Sequence, residues 1–119
     1  MKIERLQGRK INDAVMRKGA VWKGKTMLIR WVPGHPRRPG TDTSKSALYV
    51  GTVAYAKLDK SAVRRNRMRR RCREALRIIA KERQELPTVQ LLLCPRSASL
   101  DSPFELIEHD IRAFLHSLS

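Results

Sequence analysis

An apolar stripe runs through the most heavily charged part of this chain. Met68, Cys72, Ala75, Leu76 and Ile79 recur at steps of three and four residues, the period that gathers side chains on one face of a helix. Threaded among them, residues 61–77 hold eight arginines and one glutamate. Such a segment folds as a helix laid on a core by its stripe, with the guanidiniums driven to the perimeter. Ser61 is placed to cap it, its hydroxyl accepting from a first-turn N–H. Apolar runs at 47–56 and 89–94 flank the helix and read as strands, so the centre of the chain is strand–helix–strand.

Most of the arginines lie near the start of this helix. Cations there oppose the macrodipole at a cost of about 0.3–1 kcal/mol each, and they repel one another. A bound polyanion offsets that cost, and planar guanidiniums suit phosphate because they bond it in pairs. A basic run also arises as a solvated face or a targeting signal. The amphipathic setting, the net charge of +15 and the pI of about 11.1 favour nucleic acid. Residues 78–119 hold four basic and six acidic side chains, so the binding surface belongs to the first two thirds.

A length of 119 residues with 41% hydrophobic content implies one domain, 1–119, with one modest core. No apolar run approaches a membrane span. The start, Met1-Lys2-Ile3-Glu4-Arg5, has no apolar signal region, which points to a cytoplasmic protein. Cys72 and Cys94 are expected as buried, reduced thiols; with three scattered histidines they make a poor zinc set.

Taken in order, residues 1–8 read as an irregular lead-in with Leu6 packing inward. A short helix is expected over 9–18, with Ile11, Ala14 and Val15 on one side and Gly19 as C-cap. Residues 26–32 read as a strand with Met27, Ile29 and Trp31 on one face and Leu28, Arg30 and Val32 on the other. The Pro- and Gly-rich stretch 33–46 reads as a long hairpin connection. In the strand at 47–56, Tyr49, Gly51, Val53 and Tyr55 alternate with Leu48, Val50, Thr52 and Ala54; which set is core is left open. The arginine-rich helix is expected to run to about Leu86, where Pro87 stops it. A last helix starts near Asp101 or Ser102, with the stripe Phe104, Ile107, Ile111, Phe114, Leu115 and Leu118.

Chemistry of the chain's own is hard to find. There is no Gly-rich phosphate loop, HExxH motif or Ser/His/Asp set. His109 and His116 fall on the polar side of the last helix. Glu105, Glu108 and Asp110 are expected to face water rather than hold a metal.

The run Ala62-Val63-Arg64-Arg65-Asn66-Arg67-Met68-Arg69-Arg70, with Arg73-Glu74-Ala75, resembles the signature of the bacterial ribonuclease P protein subunit. Elsewhere Arg5-Leu6, Gly19, Gly51, Lys57 and Pro95-Arg96 match in spacing. Two departures stand out. Asn12 and Met16 occupy positions where the family often has phenylalanine, and the loop between Lys57 and Ala62 is one residue longer than usual and lacks a glycine.

The order helix–strand–strand–basic helix–strand–helix implies an α+β fold, a two-layer α/β sandwich with a small, mostly antiparallel sheet and three helices, and the resemblance adds a left-handed βαβ crossover. It implies a partner, the catalytic RNA subunit, bound by Lys57, Lys60, Arg64, Arg65, Asn66, Arg67, Arg69, Arg70, Arg71 and Arg73. It implies contact with the 5′ leader of precursor tRNA, for which Met16, Arg30, Tyr49 and Tyr55 are the candidates. Hydrolysis would depend on Mg²⁺ held mainly by the RNA, with no catalytic residue, membrane or further protein partner required of this chain. A structural or ribosomal RNA-binding protein is the alternative. A DNA-binding module is less favoured, because heptads and a helix-turn-helix are missing.

Overall fold

The apolar run at the centre of the sequence becomes the centre of the sheet. The computed structural model describes residues 2–83 and 85–118. Its strands are β1 (Ile3–Arg5), β2 (Ala20–Lys23), β3 (Met27–Pro33), β4 (Leu48–Thr52) and β5 (Val89–Pro95); its helices are α1 (Arg9–Lys18), α2 (Ala62–Ala80) and α3 (Phe104–Leu118). The sheet order is β1-β4-β5-β3-β2. β1 pairs parallel with β4, and β4 with β5; β3 pairs antiparallel with β5, and β2 with β3. Val89, Leu91, Leu92 and Leu93 of β5 are all buried, as a central strand covered on both faces requires.

One face carries the main core. Met27, Ile29, Leu48, Val50, Leu91 and Leu93 meet the stripes of α2 and α3. Phe114 of α3 is fully buried and takes Trp22 and Trp31 edge-on, with ring centroids 5.9 and 6.2 Å away. On the other face a smaller cluster of Leu6, Val15, Ala47, Tyr49 and Leu92 seats α1.

Several expectations need correction. The lead-in is a strand at Ile3–Arg5, in register with Leu48–Val50 of β4. The sheet is evenly mixed rather than mostly antiparallel. Residues 33–46 do not close a hairpin, because β5 lies between β3 and β4. β4 stops at Thr52, and Ala56 to Leu58 form a separate turn in the crossover, with Leu58 N donating to the Tyr55 carbonyl. α2 ends at Ala80, where Glu82 and Arg83 donate to the carbonyls of Ile79 and Ala80 and tighten the last turn. That early exit lets Leu86 fold into the core.

Asp110 does not face water. It is 5% exposed, and one carboxylate oxygen accepts from Thr26 N and Oγ1 at 2.7 and 2.6 Å, tying α3 to the turn before β3. Gly19 closes α1 as expected but for a different reason. Its φ is −67°, and a Cβ there would lie 2.4 Å from the Val15 carbonyl and 3.0 Å from Trp31 N.

Candidate nucleic-acid interface

The start of α2 is held by the loop before it. Ser61 Oγ accepts from Arg64 N at 3.3 Å, while Asp59 Oδ1 accepts from Ser61 N at 2.8 Å. Asp59 also pairs with Arg64 at 3.2 Å. The first turn itself holds no acidic residue, so Asp59 supplies the negative charge that the helix start needs.

The arginines then divide by what they touch. Arg65 Nη1 donates to the Asp59 carbonyl at 2.7 Å, and its Nε is buried without a partner. Arg69 donates to the Ala54 carbonyl at 2.9 Å and to Asn66 Oδ1 at 2.6 Å. Both therefore fasten the crossover loop to α2. Arg71 turns the other way and donates to the carbonyls of Ser99, Leu100 and Ser102 at 2.7, 2.9 and 2.6 Å. Its guanidinium lies 6.0 Å from the Phe104 ring centroid. Arg71 thus departs from the expected binding set: it holds the 3₁₀ turn Ser97–Ser99 and the approach to α3.

What remains outward is a narrower set. Arg67, Arg70 and Arg73 are exposed and have no ion pair among the described residues. Lys57, Lys60 and Asn66 are exposed beside them. Asn66, Arg70, Arg73 and Arg77 fall at i, i+4, i+7 and i+11, one line on the side of α2 opposite its stripe.

The four leader candidates do not stay together. Met16 and Arg30 meet on the α1 side of the sheet, where Arg30 Nη1 donates to the Met16 carbonyl at 3.1 Å. Tyr49 faces the same side but is 8% exposed and lies beneath His35, edge-on at 5.9 Å. Tyr55 is 64% exposed, yet it sits past the end of β4, in the crossover next to α2. Sequence alternation placed it with Tyr49 because the strand was read four residues too long.

Sequence reasoning marked Asn12 as a departure from phenylalanine and missed what its amide holds. Its Nδ2 donates to the carbonyls of Leu6 and Gly8 at 3.0 and 2.8 Å, so the residue fixes the entry to α1. Its amide type was visible; its partners lie in the lead-in read as irregular.

Burial pushes the Cys72 thiol up to about 12 and raises Cys94 as well; both are free cysteines. No group of His, Cys, Asp or Glu among the described residues is arranged to hold a metal ion. Among the described residues, then, the side chains form no cage for Mg²⁺.

Fold and surface together define a class: a small α+β domain that displays cations on the helix of a parallel β–α–β unit. The whole chain, residues 1–119, matches the family model described as Ribonuclease P, and the chain belongs to that family. Membership makes it a subunit of a tRNA-processing endoribonuclease ribonucleoprotein. The ribonuclease P protein of Thermotoga maritima has a similar fold, with a TM-score of 0.74 at 18% identity over 98% of this chain and 98% of that one. That of Staphylococcus aureus gives 0.68 at 15% identity, over 95% of this chain and 93% of that one. Among curated proteins no sequence match is found.

Proposed function

We propose that the outward cations of α2 bind the backbone of the catalytic RNA subunit, and that the α1 side of the sheet receives the 5′ leader of precursor tRNA. The observation that carries the first part is the division among the arginines. Arg65, Arg69 and Arg71 are engaged by backbone carbonyls, while Arg67, Arg70 and Arg73 stand exposed on one helix with no ion pair among the described residues. Crowded like charges persist there because an RNA backbone relieves them. Asn66 is positioned to reach a 2′-hydroxyl or base edge. For the leader, Met16 and Arg30 offer an apolar surface and a charge side by side, and Tyr49 contributes as the floor beneath His35 rather than as a stacking partner.

In this reading the RNA subunit carries the catalytic centre and holds the Mg²⁺, and the protein works in the cytoplasm. Basic side chains replace counterions that the RNA would otherwise draw from solution, so the protein lowers the Mg²⁺ needed for cleavage. The test is reconstitution of RNA-free protein with its cognate RNA subunit. Cleavage of precursor tRNA at low Mg²⁺ should need both, and the protein alone should cleave at no Mg²⁺ concentration. Metal-dependent cleavage by RNA-free protein would overturn the reading.

A further inference from the structure

β1 stops at Arg5, opposite Val50, but β4 continues through Gly51 and Thr52 with no strand of the described residues on their outer side. The space beyond opens into a groove of about 1280 Å³ between the start of α1 and the middle of α2. Five arginines from four parts of the chain line it: Arg5 of β1, Arg9 of α1, Arg38 of the β3–β4 loop, and Arg73 and Arg77 of α2. Nothing in their sequence spacing brings them together; the fold does.

Their charge is poorly offset. Glu4 and Asp13 are the carboxylates in the lining. Glu4 holds Lys2 at 3.0 Å. Asp13 reaches Arg9 only at 3.9 Å, with both side chains exposed, a pair worth little in water. Arg77 is taken by Glu74 at 3.0 Å. Arg5, Arg38 and Arg73 have no carboxylate partner among the described residues.

The floor and the approach are informative too. A Cβ on Gly51 would meet Asn12 Oδ1 and Leu92 Cδ2, each at 2.8 Å, so glycine keeps the floor low. No aromatic side chain is among the described residues that line the groove, so they offer no platform for stacking bases. On the α2 side the groove continues the outward line from Asn66 to Arg77, a run of about 16 Å at the helical rise.

We propose that this groove is a second, sequence-independent track for the phosphodiester backbone of a single RNA strand, leading from the outer side of α2 round the sheet edge to the start of α1. The path bends over a strand edge, which a flexible single strand follows and a stiff duplex does not. The proposal rests on the reading that the protein binds RNA. It adds a site distinct from the α2 start and from the Met16–Arg30 face.

The test is the double variant Arg5→Gln, Arg38→Gln, with Arg67→Gln, Arg70→Gln as reference. Each is reconstituted with the cognate RNA subunit. Affinity is measured over a salt series in two arms: protein for the RNA subunit, and assembled enzyme for precursor against mature tRNA. The groove variant should lose roughly tenfold in one arm at low salt. Its slope of log K against log salt should become shallower by about 1.4, since a single-strand phosphate contributes about 0.7. Loss in the first arm assigns the strand to the RNA subunit. Loss confined to precursor tRNA, and equal for leaders of different sequence, assigns it to the leader. Both arginines are exposed, so melting should not change. Wild-type affinity and slope in both arms, with the reference variant impaired, overturns the track alone. If neither variant is impaired, RNA binding by α2 falls with it. A loss that follows leader base identity, or that comes only with a lowered melting temperature, also counts against the track.

Discussion

Arg70 and Arg71 are neighbours in sequence with opposite assignments, and substituting each by methionine separates them. Methionine keeps helix propensity and much of the aliphatic bulk, so the change removes mainly the guanidinium. At Arg71 three carbonyls lose their donor, at 2.7, 2.9 and 2.6 Å, and one of them belongs to fully buried Ser99. With about 1 kcal/mol net for each bond, the ordinary value for an intramolecular hydrogen bond, the cost is about 3 kcal/mol. The unfolding entropy is about 2.1 cal/mol/K per residue, so for a chain of 119 residues the melting temperature should fall by about 12 °C. RNA binding by the fraction still folded should keep its salt slope. Arg70→Met should do the reverse: melting unchanged, and the slope of log K on log salt shallower by about 0.7–0.9. Calorimetry and a salt titration of each variant decide the matter. If Arg71→Met melts like the parent and loses salt slope, the division of the arginines is wrong.

Three further outcomes follow from the same geometry. Asp110→Ala should cost about 3 kcal/mol in urea unfolding, because it strips the acceptor from Thr26 N–H and hydroxyl in a buried site; an unchanged midpoint would mean the pair is idle. The Cys72 thiol, pushed to about 12 from an ordinary 9.0, is neutral in the folded protein and ionises first in the unfolded chain. Its contribution to stability is therefore complete below pH 9 and lost as pH rises toward 12, and at pH 8 iodoacetamide should label Cys72 only after unfolding, as read by mass; labelling of native protein at the rate of a free thiol would contradict its burial. Met16→Ala should weaken precursor more than mature tRNA, whereas Tyr55→Ala should weaken binding of the RNA subunit by up to about 1–3 kcal/mol if a base stacks there; equal defects for both variants in both assays would dissolve the distinction between the two surfaces.

How much of this was legible varies by element. β5, α2 and α3 announce themselves because each buries a long, regular apolar pattern, and pattern is what sequence carries. β1 and β2 do not. Ile3-Glu4-Arg5 is too short to alternate, and Ala20–Lys23 is mostly exposed, so each is a strand only because a neighbour pairs with it. The arginine-rich helix was legible as a cationic element, but not which of its arginines are free. The acceptors that claim Arg71 lie 28 to 31 residues downstream, beyond any local period. Tyr49 and Tyr55 were separated by the point at which β4 ends, which strand propensity fixes poorly.

The sheet order has a consequence for how the protein comes to exist. β3 and β4 are both made before β5, yet β5 lies between them. At roughly 5–20 residues per second, the stretch from Thr52 to Val89 takes about 2 to 7 s to synthesise. During that time both strands have an open edge where their neighbour will be, and α2 has emerged with its cations but no complete surface to rest on. The arginine-rich helix is thus oriented only when the acidic end of the chain arrives to complete the sheet. A nascent chain of this kind displays its charge first and its shape only later.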